Sequence, residues 1–228
     1  TILIDTGKYP EKLSSCLRFL GVDHLDLAII SHFDADHVGA WPVIADRVEQ
    51  VWMGPILERE HADIAGALES AGATVLQVSA GTSLEVGDYR LRVLWPPTQS
   101  FVDPGNDSSV VIAVEGAPGC ESCLSAVFLG DLGEKPQRIV MGREDFAPVD
   151  VVKVSHHGSR DQFEGLYRVL SAEIGLIGVG EENTYGHPTR GALEILEASG
   201  TTPLRSDERG IVTVSSTATG KLTIWSER

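Results

Sequence analysis

In the first third of the chain, short solid apolar runs alternate with stretches of helical period. Leu25-Asp26-Leu27-Ala28-Ile29-Ile30 reads as a buried strand. Residues 1–6 read as another, closed by Gly7. Residues 10–20 place apolar side chains at Leu13, Cys16, Leu17 and Leu20, with Pro10 in the first turn and Gly21 as the stop, which predicts a helix. The same rules predict helices over 39–48 and 57–71 and strands over 51–53 and 74–78. From residue 82 the period changes to two. Residues 82–86, 89–95, 110–114 and 126–129 read as consecutive antiparallel strands, with a hairpin turn at Gly87-Asp88. Helices near 135–141, 161–170 and 189–199 then alternate with strands over 149–154 and 174–179, and strands near 211–215 and 221–225 close the chain. No repeat, low-complexity tract or linker divides it. Two β-rich halves that each carry helices predict two stacked mixed sheets with helices outside, in one α/β domain over 1–228.

Composition narrows the class. The chain has 228 residues, enough for a sizeable core. No apolar run approaches the roughly 20 residues that span a bilayer. The chain opens inside a strand without Met, which suggests a piece of a longer protein. Its 33 acidic and 18 basic residues give a net charge of −15, unfavourable for gripping a phosphate backbone. Basic residues are denser in the second half (Lys135, Arg138, Arg143, Lys153, Arg160, Arg168, Arg190, Arg205, Arg209), which allows a local positive face. Three cysteines exclude a disulfide framework. Cys120 and Cys123 sit in a turn, where either a short disulfide or two thiols fits the sequence, and Cys16 reads as part of the buried face of the first helix.

The chemistry concentrates where apolar runs end. After Ile30 come Ser31-His32-Phe33-Asp34-Ala35-Asp36-His37, with four metal-ligand side chains: His32, Asp34, Asp36 and His37. Spaced i, i+2, i+4 and i+5, they share no face of a strand or helix, but a loop can converge them on divalent cations. Four such groups exceed what one ion takes from one loop, which points to two metals. Val127-Phe128-Leu129-Gly130-Asp131 ends a strand in a carboxylate able to bridge them. Residues 151–159 end a strand in His156-His157-Gly158-Ser159. On an extended segment these two histidines would point opposite ways, so one is expected to ligate and the other to orient substrate or protonate a leaving group. Asn106-Asp107-Ser108-Ser109 and Asn183-Thr184-Tyr185-Gly186-His187-Pro188 are polar loops. From them Asn106, Ser108, Tyr185 and His187, with Ser159, are candidate substrate contacts, and Tyr185 or His187 is also a candidate acid.

With Leu3-Ile4-Asp5-Thr6-Gly7 and Leu129-Gly130-Asp131-Leu132 added, these motifs run in order through nearly the whole chain. Together they resemble the metallo-β-lactamase superfamily, and within it the C-terminal metallo-β-lactamase-like domain of bacterial ComEC competence proteins. The resemblance implies a four-layer αββα sandwich with a dinuclear site. It implies His32 and Asp34 on one ion, Asp36 and His37 on the other, Asp131 bridging, and one of His156 and His157 completing the ligands of the second ion. Two departures from the superfamily's usual pattern, Asp34 for a histidine and Asn106-Asp107 with serines where another histidine would stand, trade nitrogen for oxygen. That favours Mn²⁺, with Zn²⁺ or Mg²⁺ as alternatives. The implied function is a metal-dependent phosphodiesterase, a DNA nuclease degrading the non-transported strand during DNA uptake. In it the metals acidify a water, Asp36 orients it, and His156, His157 or His187 protonates the leaving oxygen. The implied partners are DNA, single-stranded above all, and the membrane-embedded remainder of a bacterial parent protein, with the domain itself soluble and, from the cysteine pair, extracytoplasmic. Two alternatives stand beside it: a hydrolase of a small ester (phosphorylcholine esterase or lactonase-like), and a non-catalytic DNA-binding module of the uptake channel.

Overall fold

The computed structural model describes residues 1–98, 102–217 and 219–228. It divides into two compact units, Thr1–Ala80 with Trp95–Val110, and Gly81–Leu94 with Val111–Arg228.

The first unit is built on a four-stranded parallel sheet in the order β1 (Ile2–Ile4), β2 (Leu25–Ile30), β3 (Val48–Met53) and β4 (Thr74–Gln77). Helix α1 (Pro10–Phe19) connects β1 to β2, a short helix α2 (Ala35–Val38) follows β2, and α3 (Arg59–Ser70) connects β3 to β4. Leu13 and Leu17 of α1 and Ile64, Ala65 and Leu68 of α3 pack with Ala28, Ile30, Val51 and Met53 in one apolar cluster. The alternate residues Leu27, Ile29 and Trp52 are also buried, so both faces of the central strands are covered. That explains why β2 reads as a solid apolar run instead of an alternating one.

The helix expected over 39–48 is not formed. Instead α2 ends at Val38, a 3₁₀ turn covers Trp41–Val43 and β3 already begins at Val48. Gly39 and Pro42 explain the difference. Pro42 has no N–H to give an extended helix. At Gly39 a Cβ would lie 3.1 Å from the Lys8 carbonyl oxygen, where the chain crosses closely. Ala40 N–H turns away to donate to the Gly7 carbonyl at 2.8 Å.

The second unit carries a seven-stranded sheet in the order β11-β10-β9-β8-β7-β6-β5. Its strands are β5 (Ser83–Val86), β6 (Tyr89–Trp95), β7 (Val111–Gly116), β8 (Ala126–Phe128), β9 (Val151–Lys153), β10 (Ile174–Ile177) and β11 (Thr202–Arg205). As expected, β5 pairs with β6 and β7 with β8 antiparallel, while β8 to β11 run parallel. Helices α4 (Glu134–Arg143), α5 (Glu164–Leu170) and α6 (Arg190–Ala198) make the parallel connections. A one-turn helix α7 (Ser206–Arg209) leads to a hairpin of β12 (Val212–Ser216) and β13 (Leu222–Ser226). Strand β11 has no counterpart in the hydropathy pattern, because Pro203 argues against a strand. It stands at the sheet edge, where a missing N–H costs no ladder bond.

Cys120 and Cys123 form a disulfide in the turn between β7 and β8, and Cys16 is a half-buried thiol whose pKa burial raises. A Cβ on Gly116 would sit 2.5 Å from the Cys123 Cβ, so the bridge folds tightly against β7. Closing so short a ring restricts the unfolded chain by about 2 kcal/mol on the loop-entropy relation. Only Cys16 should therefore alkylate without reductant, and all three cysteines after reduction and unfolding. The Cys120→Ser/Cys123→Ser variant should melt about 4–8 °C lower. Three reactive thiols in the unreduced protein would contradict the bridge.

Candidate metal centre

In the first unit, β1 and β2 run side by side and end together, which brings Asp5 beside Ser31. Asp5 accepts from Ser31 N–H at 2.7 Å and from Ser31 Oγ–H at 2.9 Å, and its Oδ2 lies 2.7 Å from His37 Nδ1. A carboxylate in this setting only accepts, so His37 carries its proton on Nδ1, and Nε2 is the atom it can offer to a metal. The single Ser31 hydroxyl proton goes to Asp5. Its contacts to His32 Nδ1 (3.1 Å) and His37 Nδ1 (3.2 Å) are therefore made by the oxygen as acceptor, which gives His32 the same tautomer. Ser109 Oγ stands 3.4 Å from His32 Nδ1 as well. Thr6 extends the clamp: its N–H and Oγ1–H donate to the His37 carbonyl at 2.7 and 3.0 Å.

His32 and His37 are buried, while the Asp34 and Asp36 side chains are about half exposed. His32 Nε2 lies 3.6 Å from Asp34 Oδ2, and His37 Nε2 lies 3.9 Å from Asp36 Oδ2. Two ligands held about 2.1 Å from one ion stand roughly 3.0–3.6 Å apart, so the His32–Asp34 pair has the separation for one divalent ion, while the His37–Asp36 pair stands slightly wider. A cavity of about 720 Å³ opens beside this loop, lined by Phe33, Asp34, Asp36, Trp41, Glu60 and His61. Phe33 stacks flat on His61 with centroids 3.8 Å apart.

In the second unit, β8 and β9 run parallel and end beside each other, as β1 and β2 do. Asp131 follows β8 and is 3% exposed. After β9 the chain does not stay extended: His156 (φ 45°, ψ 49°) and His157 (φ 52°, ψ 22°) are both left-handed. The expectation that the two histidines point opposite ways is thereby overturned in its premise. The turn brings both rings to one carboxylate, with His157 Nε2 at 3.4 Å and His156 Nε2 at 3.9 Å from Asp131 Oδ2. Asp5 is left-handed too (φ 58°). Left-handed backbone costs roughly 1–2 kcal/mol at a non-glycine residue, and three of the four described cases fall among these residues.

His157 Nδ1 lies 2.5 Å from the Gly178 carbonyl, which only accepts, so its Nε2 is again the ligand atom. His156 meets His187 edge-on with centroids 5.5 Å apart. Burial, then the neighbouring His156 and His157, push the His187 pKa below the ordinary imidazole range, against a smaller upward pull from Asp131. A buried network fastens the turn from behind. The Tyr167 hydroxyl donates to Gln162 Oε1 at 2.5 Å and accepts from Ser155 N–H. Gln162 Nε2 donates to the Ser155 carbonyl, and Ser155 Oγ and Gln137 Nε2 both donate to the Leu132 carbonyl. Burial raises the Tyr167 pKa, so it stays a neutral donor.

The remaining candidates fall into place by their bonds. Ser108 is buried, and its hydroxyl closes the 3₁₀ turn over Asn106–Ser108 onto the Gly105 carbonyl at 2.7 Å. Ser159 is buried and accepts from Asp161 N–H at 3.2 Å. Tyr185 is 85% exposed. Asp5, Ser31, Ser109 and the Gly178 carbonyl were not singled out as site residues from the sequence. Asp5, Ser31 and Ser109 stood inside the quoted motifs without a role, and the Gly178 carbonyl left no trace there. Of the basic residues of the second half named above, Arg138, Arg168, Arg190 and Arg205 pair with Glu134, Glu164, Glu194 and Asp207.

No protein-family model matches the chain. It is 28% identical to ComE operon protein 3 of Bacillus subtilis (strain 168) over 199 residues, 84% of the chain. It is 25% identical to Competence protein ComA of Neisseria gonorrhoeae over 214 residues, 92% of the chain. It spans only 25% and 28% of those two proteins' lengths. Among solved structures, the metallo-β-lactamase fold protein YhfI from Bacillus subtilis aligns over 98% of this chain and 87% of its own, with a TM-score of 0.58 at 11% identity. Tm1679, a metal-dependent hydrolase of the β-lactamase superfamily, aligns over 99% of this chain and 89% of its own, with a TM-score of 0.56 at 16% identity. Identities this low speak for the fold alone, and the competence proteins supply the sequence kinship. The chain has the metallo-β-lactamase fold and is similar in sequence to the two competence proteins over about a quarter of their length.

Proposed function

We propose that this chain is a metal-dependent phosphodiesterase that cuts DNA, degrading the strand not taken up during bacterial transformation. The observation that carries the reading is the set of imidazoles locked in one tautomer, His32, His37 and His157, each with a carboxylate oxygen 3.4–3.9 Å from its Nε2. Metal-ligating histidines almost always give their other ring N–H to a carboxylate or carbonyl in this way. In the first unit His32 and Asp34 would hold one divalent ion and Asp36 and His37 another, and in the second unit Asp131 and His157 are further donors. Three carboxylates among six donors favour Mn²⁺, with Zn²⁺ and Mg²⁺ behind it.

When bound, the ions would supply Lewis acidity toward a phosphodiester and lower the pKa of a water. The chain's own residues do the rest. Asp36, half exposed, orients the attacking water. His156, beside His187, delivers a proton to the leaving oxygen. Kinship with competence proteins supports DNA as the substrate and a membrane-bound parent protein as the setting. Among the described residues no helix is long and apolar enough to cross a membrane. The Cys120–Cys123 bridge supports an extracytoplasmic position. The same scaffold would also serve a small ester, and the cavity beside the metal loop has the volume for one.

Metal-stripped protein given back Mn²⁺ should cut labelled DNA, and the Asp36→Ala and Asp131→Ala variants should fall below detection with unchanged circular dichroism. Cleavage of bis-p-nitrophenyl phosphate without cleavage of DNA would favour the small-ester reading; metal binding with neither activity would favour a DNA-binding module. The Asp5→Asn variant replaces a pure acceptor with an amide and should weaken metal binding about 10–100-fold in a chelator competition. Unchanged affinity would show that Asp5 does not orient His37 for a metal.

A further inference from the structure

We infer that Tyr185 is a stacking platform for a nucleobase of the substrate strand, so that this domain holds DNA by a base as well as by its phosphates. The inference rests on the proposed action on DNA and adds how the strand is gripped. Tyr185 is the most exposed large hydrophobic side chain among the described residues, at 85%. Its backbone is nevertheless held: Asn183 Oδ1 accepts from Tyr185 N–H at 2.9 Å, and Asn183 Nδ2 donates to the His187 carbonyl. The segment is pinned to the histidine turn at both ends. Gly178 accepts from His157, and Thr189 N–H donates to the Gly158 carbonyl at 2.7 Å. Pro188 packs on Gly158 so closely that a Cβ there would come within 2.6 Å of the proline Cβ.

These fastenings place Tyr185 at the end of a row of rings. Its ring lies 6.2 Å from that of His187 at an interplanar angle of 29°, His187 meets His156 at 5.5 Å, and His156 approaches Asp131. An aromatic face exposed to water and braced relative to the proton donor is what a base flanking the scissile phosphate needs. Stacking tolerates any base, because every base has a π face.

Charge argues for a base over a phosphate at this position. Glu181 and Glu182 lie in the same loop, and the chain as a whole carries −15. Arg138, Arg168, Arg190 and Arg205 of the same unit are paired with carboxylates. A neutral, polarisable contact holds DNA without relying on net charge.

The test is binding of fluorescein-labelled octathymidylate to the metal-free 228-residue chain, followed by anisotropy, beside an abasic octamer with the same number of phosphates. Tyr185→Ala should weaken octathymidylate binding about tenfold, while Tyr185→Phe stays within about twofold of the unmodified chain. The abasic octamer should bind all three proteins alike, and the ratio between the unmodified chain and Tyr185→Ala should hold as salt rises, unlike a phosphate contact. Equal affinity of Tyr185→Ala, or an equal loss in Tyr185→Phe, which would assign the hydroxyl to a phosphate, overturns the inference. So does an unmodified chain with no preference for octathymidylate over the abasic octamer, or no measurable affinity for either. Cleavage by the Mn²⁺-loaded chain is read separately: base-dependent binding without cleavage keeps the platform and removes the nuclease, and cleavage with an unaffected Tyr185→Ala does the reverse.

Discussion

Parallel pairing of short apolar strands is the constraint on which this molecule depends. Parallel neighbours end at the same level, so residues just past their carboxyl ends are brought together whatever their separation in sequence. In the first unit this joins Asp5, after β1, to Ser31 and the metal loop after β2. In the second it joins Asp131 after β8, the histidine turn after β9 and Gly178 after β10. Ligand sites at the carboxyl ends of parallel strands are a general outcome of this geometry. The solid apolar strands supply burial, and the loops, relieved of that task, carry the chemistry.

Orientation is set by groups that can only accept or have one proton to give. The Asp5 carboxylate and the Gly178 carbonyl force protons onto Nδ1 of His37 and His157, and the single proton of Ser31, spent on Asp5, does the same for His32. Left-handed backbone at Asp5, His156 and His157 shows that the chain accepts local cost to aim these side chains. The buried Tyr167–Gln162–Ser155 network and the Leu132 carbonyl keep the second unit's turn from relaxing.

Acidity shapes how such a domain could act on DNA. A strongly negative chain gains little from long-range attraction to a polyanion. Bound divalent ions and a stacking contact would be two ways to hold a strand that do not depend on the domain's own charge.

The sequence by itself determined the strands and helices with strong apolar period, the clustering of candidate metal donors at strand ends, and the resemblance to the metallo-β-lactamase fold, because those signals are local and run in a set order. It also located Asp5-Thr6-Gly7 without showing what the motif does. Tertiary structure alone decided that Asp5 locks His37, because the partner is 32 residues away and only strand pairing joins them. It decided that His156 and His157 share Asp131, because left-handed backbone is a response to surrounding packing that no residue pattern encodes. It replaced the helix over 39–48 with a turn, through the close crossing of Gly39 against Lys8.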